Sequence, residues 1–205
     1  VQIHHPAFRD DPSVDNLIEQ PAGALREVLE APGVIAWASR VKVPAVISSE
    51  RGSRGVTLIG VEPDAERRLS FVADDIAAGR FLEGVADSGV IVGRKMLEHL
   101  ETDLGKRVVV MSQDPHNEIV DRGLRIVGVF DSAIQAHEEQ MVFAGRATVQ
   151  DMLRIGDRVS EVAILGESYR EVEPLYLRRL DQRLDELDEL ALGAGGHVAD
   201  TAGDA

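Results

Sequence analysis

Valine- and isoleucine-rich runs that partly alternate with polar residues stand out in the first third of the chain. Within Val34–Val61 two such runs flank the sequence ERGSRG, and this pattern predicts a long β-hairpin with its tip at Arg51–Arg54. Pro44 lies inside the first run. Because proline has no backbone N–H to donate, its position predicts a sheet edge or a bulge there.

A strand, a helix and a second hairpin are predicted in the middle of the chain. The apolar run that ends at Gly93 is followed by residues spaced as on one face of a helix, namely Met96, Leu97, Leu100 and Leu104. A glycine turn at Gly105 then leads into the hairpin Arg107–Asp131. The spacing of apolar residues in its second arm predicts a half-buried strand in which Leu124, Ile126 and Phe130 lie on one face.

Shorter elements complete a predicted α+β fold. They are a helix at 24–30, two short helices within 64–78 closed by Gly79, strands at 141–143 and 161–165, and a helix at 147–154. A longer helix is predicted to begin at Pro174, with an apolar stripe of Leu177, Leu180, Leu184, Leu187 and Ala191. The stripe is too short to argue for a coiled coil, so we expect this helix to pack on the protein's own sheet.

The charge balance of the chain excludes several classes of partner. Among 205 residues there are 36 acidic and 22 basic side chains, a formal net charge of -14. A nucleic-acid-binding protein needs a basic surface, so we expect no nucleic acid partner, and the charge also weighs against broad docking on anionic lipid. The chain has no cysteine, which excludes disulfides, thiolate metal sites and a cysteine nucleophile.

The strand–helix–turn–strand order of Val90–Val110 raises the question of a nucleotide site. A phosphate-binding P-loop requires two glycines with four residues between them, the second followed directly by Lys and then by Ser or Thr. Here Gly105 and Lys106 are followed by Arg107, and Leu100 stands where the first glycine should be. We therefore expect no nucleotide and no other cofactor, and we interpret this unit as scaffold.

The remaining motifs that resemble catalytic or metal sites are each incomplete. The sequence HEEQM at His137–Met141 has methionine in place of the second histidine of a zinc motif. The sequence GESYR at Gly166–Arg170 lacks the second glycine of a nucleophile elbow. Adjacent acids such as Glu138 and Glu139 are expected by chance in so acidic a chain. The residues thus predict no catalytic site, no metal site and no enzyme, while a soluble enzyme or small-molecule sensor with an unrecognised site is the alternative.

Four short motifs follow one another in a distinctive order. They are GVEP at Gly60–Pro63, GRFL at Gly79–Leu82, the stretch Ile91–Val108, and VGVFDS at Val127–Ser132. Their order and spacing resemble the extracytoplasmic domain of ABC-transporter permeases of the lipoprotein-releasing LolC/LolE type, which is related to MacB and FtsX. The family usually has glycine where Ala133 stands, and the resemblance covers most of residues 1 to about 166.

The resemblance implies a fold, a location and partners. The fold would have two lobes, a porter-like α/β lobe built from both chain ends (residues 1–62 and 143–205) and a smaller inserted α+β lobe (residues 63–142). The domain would lie on the extracytoplasmic, periplasmic face of the inner membrane, with membrane helices expected near Val1 and Ala205. Its partners would be a paired permease subunit and a cytoplasmic ATPase subunit, and its role would be to couple ATP-driven motion to the release or handover of a substrate such as a lipoprotein.

The two hairpin tips are the predicted partner-binding surface, because loops held by a rigid sheet often carry binding residues. The predicted residues are Arg51, Arg54, Pro115, His116 and Arg122. In the implied family, a hairpin at the position of the second tip docks a soluble lipoprotein carrier. Here its sequence, SQDPHNEIVDRG, is polar and offers only Arg122 as an anchor of the kind that interfaces favour, so carrier docking and the LolE-like or MacB-like subtype stay open.

Overall fold

The structure, a computed structural model, describes residues 1–166. The strands are β1 (Gln2–His4), β2 (Val34–Ser48), β3 (Ser53–Val61), β4 (Ile76–Gly79), β5 (Gly89–Gly93), β6 (Arg107–Gln113), β7 (Ile119–Phe130), β8 (Met141–Gly145) and β9 (Glu161–Gly166). The α-helices are α1 (Gly23–Leu29), α2 (Pro63–Glu66), α3 (Arg94–Leu100), α4 (Gln135–Gln140) and α5 (Arg146–Leu153). Two 3₁₀ turns are formed by Pro6–Arg9 and Phe71–Ala73. The α+β class predicted from the sequence is confirmed.

Six of the strands close into a ring. The hairpin β2–β3 continues through β8, β5 and β7, and β6 pairs with both β7 and β2. The ring order is therefore β2–β3–β8–β5–β7–β6, with β9 and then β1 added beside β2 and with β4 added beside β7. Closure removes the exposed edges that a flat sheet would leave along these strands.

The inside of the ring is the main hydrophobic core. Alternate residues of β2 point inward, as a period of two requires, and these are Val41, Val43, Ala45 and Ile47. The other five strands contribute valines, leucines and alanines in the same way. Helices α3 and α5 add side chains to the same cluster, among them Met96, Leu100, Val149 and Leu153, so both helices pack against the inside of the ring.

A second core lies on the opposite side of β3, β8, β5 and β7. It is built around Phe130 and Phe143, whose rings meet edge to face with centroids 5.7 Å apart. The chain between α2 and β5 covers this side with Val72, Phe81 and Leu82. This part of the ring is therefore covered on both faces.

Pro44 lies at an open stretch of the edge of β2, as the sequence predicted. On that edge β2 pairs with β9 through Val34–Arg40 and with β6 through Val46–Ser48, and Pro44 falls in the gap between them. The backbone groups in the gap are paired with side chains, since the Ser160 hydroxyl accepts the N–H of Lys42 at 2.8 Å and the Ser112 hydroxyl donates to the carbonyl of Pro44 at 2.8 Å. The edge therefore offers no free run of backbone for another strand to pair with.

Residues 64–78 depart from the prediction of two short helices. Helix α2 and the 3₁₀ turn at Phe71–Ala73 form, but Ile76–Gly79 is strand β4 and not helix. The cause is tertiary pairing, since Ile76 and Ala78 are in register with β7. Gly79 closes a strand and not a helix, and its φ of +80° together with a close approach to the Val127 carbonyl leaves no room for a side chain.

Three further sequence predictions concern the end of α3, the helix from Pro174 and the division into two lobes. Helix α3 ends at Leu100, so Leu104 does not extend its apolar face and is 41% exposed. The leucine-striped helix predicted from Pro174 lies outside the described residues. The ring takes strands from both predicted lobes, residues 1–62 with 143–205 and residues 63–142, and the division into two lobes stays a prediction. Within residues 1–166 no helix is both long enough and apolar enough to span a membrane.

Candidate functional site

The two predicted hairpin tips lie at opposite ends of strand β6. Ser48, just before the first tip, is in register with Val109 near the start of β6. The second tip begins beyond Gln113, where β6 ends opposite Ile119. At about 3.3 Å per strand residue, the two tips are roughly 20 Å apart. They therefore form two separate surfaces and do not come together in one site.

The first tip rests on the C-terminal end of α3. The hydroxyl of Ser49 donates to the Leu100 carbonyl at 2.6 Å, which anchors the turn. Arg54 Nη2 lies 3.2 Å from Nδ1 of His99, and Arg51 is 4.0 Å from the Glu101 carboxylate with 69% of its side chain exposed. The turn is thus held in place, while both guanidinium groups face solvent and are available to a partner.

The second tip is organised by the carboxylate of Asp114. Its Oδ1 accepts the backbone N–H groups of His116 at 2.9 Å and Glu118 at 3.0 Å, and its Oδ2 accepts Nη1 of Arg154 at 3.2 Å. Burial alone would raise the pKa of Asp114, but these donors and the nearby positive charges hold the pKa below its ordinary value. Pro115 is half-buried and the His116 side chain is 80% exposed, so His116 is the more accessible of the two predicted contact residues in this loop.

Arg122 does not lie at a tip. It shares the inner face of β7 with the buried residues Val120 and Leu124, which lie two positions before and after it. Its Nη1 donates to the Thr148 carbonyl of α5 at 3.2 Å. Its side chain therefore joins the strand to a helix. The period of two along β7 carries this signal in the sequence, because Val120, Arg122 and Leu124 share one parity.

The N-terminus of α3, where a nucleotide phosphate would have to bind, is occupied by the protein's own carboxylate. Glu138 accepts the backbone N–H of Lys95 at 3.3 Å and that of Ser132 at 2.7 Å, and only 8% of the residue is exposed. Gly93 makes this approach possible, because a Cβ on it would lie 2.3 Å from the Cα of Glu138. This arrangement supports the interpretation of Val90–Val110 as scaffold.

A buried ion network holds α2 and β9 to β2. Arg40 makes two hydrogen bonds to Glu66, at 2.9 and 2.7 Å, and a longer one to Glu161 at 3.4 Å. Both carboxylates are almost fully buried, at 1% and 3% exposure. Burial by itself would lower the pKa of Arg40, but Glu66 and then Glu161 raise it above its ordinary value. With its charges paired inside the fold, we assign this network to structure.

Asp87 organises the loop before β5. Its carboxylate accepts Nη1 of Arg80 at 2.7 Å and the backbone N–H groups of Glu83 and Gly89 at 2.9 and 2.8 Å. Burial would raise the pKa of Asp87, but the hydrogen bond from Arg80 and the two backbone donors lower it below its ordinary value. The carbonyl of Val85 in the same loop accepts the N–H groups of Ala147 and Thr148 in the first turn of α5, at 2.8 and 3.3 Å, so these helix donors are also satisfied internally.

The surface of residues 1–166 has several clefts, and one of about 320 Å³ borders the first hairpin tip beside Arg51 and Lys106. Two others lie away from that tip. One, of about 580 Å³, is polar and is lined by Arg26, Arg68, Arg146, Glu30, Glu62 and Trp37, among others. Two of its arginines are already paired, Arg26 with Glu30 at 2.8 Å and Arg146 with Glu62 at 3.4 Å. The other, of about 290 Å³, is mostly apolar and lies beside Pro44. Within residues 1–166 no group of His, Cys, Asp or Glu side chains is arranged to hold a metal ion.

Comparison with known proteins points to one family. A model of the MacB-like periplasmic core domain family matches residues 3–174. No curated protein sequence matches the chain. The family match covers most of the chain and includes every strand and helix described above, apart from the first residue of β1.

Two solved structures share the fold at low sequence identity. The periplasmic region of MacB from Actinobacillus actinomycetemcomitans is 13% identical, has a TM-score of 0.60, and aligns over 97% of this chain and 92% of that one. The extracellular domain of the noncanonic ABC-type transporter YknZ from Gram-positive bacteria is 14% identical, has a TM-score of 0.59, and aligns over 84% and 86% of the two chains. At these identities the likeness concerns the fold alone.

Proposed function

Because the chain belongs to the MacB-like periplasmic core domain family, and is thus an extracytoplasmic domain of an ABC-transporter permease and not an enzyme, we propose that it transmits motion of the membrane part to a partner or cargo outside the membrane. The motion would be driven by a cytoplasmic ATPase subunit and shared with a paired permease subunit. The cargo would be handed over or released at the surface of this domain.

The closed ring of six strands is the observation that carries this proposal. A part that transmits motion must move as a unit and must not deform, and a closed, close-packed ring has low compressibility. The N-terminus is tied to the same body, since the amino group of Val1 donates to the Ile164 carbonyl at 3.0 Å and Ile164 donates back at 2.9 Å. A displacement applied near Val1 or at the end of β9 would therefore reach the whole ring.

The finer assignment concerns the cargo. The motif order Gly60–Pro63, Gly79–Leu82 and Val127–Ser132 supports a permease of the lipoprotein-releasing LolC/LolE type, with a lipoprotein as cargo and a soluble periplasmic carrier as a further partner. This cargo and this carrier are part of the proposal. Among the predicted contact residues, Arg51 and Arg54 at the first tip and Pro115 and His116 at the second are accessible or partly accessible and fit a partner-binding role.

Charge reversal at the first tip tests the proposal in the complete transporter. We expect Arg51→Glu with Arg54→Glu to lower transport and partner crosslinking while ATP hydrolysis continues, because the tip would lose its contact and the ATPase would still turn over. The matched control is Arg9→Glu with Arg67→Glu, which makes the same charge change at exposed arginines away from the tip. Unchanged transport in the tip variant, with the domain folded, would show that this tip is not the working surface.

A further inference from the structure

The polar cleft of about 580 Å³ lies at one end of the sheet. Strands β3, β8 and β9 end there and β1 and β2 begin there, so the cleft is bordered by α1, by the start of β2 and by the residues that follow β3 and β8. The first hairpin tip is at the other end of β2, about 35 Å from Trp37. The cleft and the first tip are therefore at opposite ends of the domain.

The arginines of the cleft have unused hydrogen-bond donors. The side chain of Arg68 is exposed and has no hydrogen bond or ion pair with any residue of the described 1–166 part. Nε of Arg146 is buried without a hydrogen-bond partner, although both of its Nη atoms have partners. Arg26 is paired with Glu30 one turn away on an exposed surface, and exposed pairs of this kind contribute little to stability. Guanidinium groups with free donors fit the oxygens of a phosphate group.

The lining of the cleft carries a local excess of positive charge. Its ionisable side chains are three arginines and two glutamates, namely Arg26, Arg68 and Arg146 with Glu30 and Glu62. The chain as a whole has a net charge of -14. An anionic surface would therefore be repelled by most of this protein and would be tolerated at this cleft.

Apolar side chains are exposed at the same end of the sheet. Val1, Ile35 and Leu165 are 45%, 53% and 40% exposed, and they are three of the eight exposed large apolar side chains within residues 1–166. Val1 pairs with Ile164, which is in register with Trp37, so Val1 and Trp37 are about 10 Å apart. Tryptophan and aliphatic side chains next to arginines are the combination that proteins place at the surface of a lipid bilayer.

From these observations we propose that the cleft binds the phosphate group of an anionic phospholipid, with Arg26, Arg68 and Arg146 around the phosphate and with Trp37 and Ile35 among the lipid headgroups. The inference rests on the proposed function in one respect, namely that the membrane part lies towards Val1 and the end of β9. The bound lipid would hold this end of the ring on the bilayer, and the first hairpin tip would then point away from the membrane towards a partner.

The fluorescence of Trp37 reports on the cleft without an added label, because the chain has one tryptophan. The full 205-residue chain is attached by an N-terminal histidine tag to vesicles that contain a nickel-chelating lipid, which brings the end of the sheet at Val1 to the bilayer. The vesicles are phosphatidylcholine alone or phosphatidylcholine mixed with phosphatidylglycerol. Both contain a lipid with a spin label on its headgroup, which quenches tryptophan on contact and so measures the ratio of docked to undocked protein.

We expect stronger quenching on the vesicles with phosphatidylglycerol, because only these offer lipids with a net negative charge. One arginine near an anionic surface changes the docking equilibrium about fivefold, so Arg26→Gln with Arg68→Gln should lower the ratio of docked to undocked protein by roughly 25-fold. The matched control is Arg107→Gln with Arg125→Gln, which removes two exposed arginines near the first hairpin tip. The control should stay within about twofold of the wild type, and circular dichroism checks that both variants are folded.

Equal quenching on the two kinds of vesicle, or equal losses in the cleft variant and the control, would overturn the proposal. A cleft that the chain itself covers would also overturn it, and this would appear as a Trp37 that acrylamide does not quench before vesicles are added. Inorganic phosphate is tested without vesicles. If it changes Trp37 fluorescence while the vesicles show no preference for phosphatidylglycerol, the cleft belongs to a soluble anion and the membrane contact is wrong. None of these outcomes depends on transport, so a failure here is separate from a failure of the proposed function.

Discussion

Replacement of Gly93 by alanine tests the account of the α3 N-terminus. Gly93 has φ of -72°, which alanine adopts without strain, so the substitution probes space alone. A Cβ at this position would lie 2.3 Å from the Cα of Glu138 and 2.4 Å from its carbonyl oxygen. Ordinary non-bonded carbon contacts are about 3.5–4.0 Å, so α4 would have to move by more than about 1 Å.

The expected loss of stability follows from this displacement. Overpacking a dense interior costs about 1–3 kcal/mol, and the upper end applies here because both opposing atoms belong to the backbone and cannot rotate away. Alanine regains at most about 1 kcal/mol from its lower chain entropy. We therefore expect Gly93→Ala to lower the free energy of unfolding by about 2 kcal/mol or more, which for a domain of this size corresponds to a Tm decrease of roughly 4–8 °C.

The measurement is urea unfolding followed by circular dichroism, with Gly123→Ala as the matched control. Gly123 is also a strand glycine, but a Cβ there would meet no atom within 4 Å. We expect the control to be neutral or slightly more stable than the wild type. Equal stability of the two variants would refute the close approach of α4 and, with it, the capping of α3 by Glu138.

Three further predictions concern charges and ligands. Arg40→Ala leaves the carboxylates of Glu66 and Glu161 buried without a cation, so the free energy of unfolding should fall by about 3–5 kcal/mol; a loss below about 1 kcal/mol in urea unfolding would contradict this. The lowered pKa of Asp87 means that its contribution is fully present above the unfolded carboxyl pKa of about 4 and is lost as the pH falls through the lower folded value. Asp87→Asn should therefore weaken the acid dependence of stability, and identical pH profiles would refute that. Calorimetric titration with ATP should show no binding, and a micromolar affinity would overturn the scaffold interpretation.

Local pattern predicted most of the elements but not their closure into a ring. The strands β2 and β3 and the helix α3 follow from period-two or helical spacing within each segment. In β7 an irregularity in the pairing with β5 breaks the predicted period, so Leu124 and Ile126 lie in the ring core while Phe130 lies in the second core. The ring depends on pairing between Val46–Ser48 and Val109–Met111, which are far apart in sequence, and no local pattern encodes that choice of partner. For the same reason the residues of β4 were predicted as helix, although their pairing with β7 makes them a strand.

The candidate contact residues show a similar division. The exposed positions of Arg51 and Arg54 follow from the glycine turn, which the sequence shows directly. The role of Glu138 could not be predicted, because its burial at the start of α3 depends on how α4 packs against Gly93. The separation of the two tips likewise depends on the antiparallel register of β6 with β2.

The central claim, that the domain moves as one rigid unit when the transporter uses ATP, is tested most directly by pulsed electron paramagnetic resonance on the complete permease. Spin labels at Leu104→Cys and Ile119→Cys, both exposed positions, report on distance within the domain. A label at Ile119→Cys paired with one on the neighbouring permease subunit reports on motion of the whole domain. The account predicts that ATP changes the second distance and leaves the first unchanged. A change within the domain, or no change between the subunits, would contradict it.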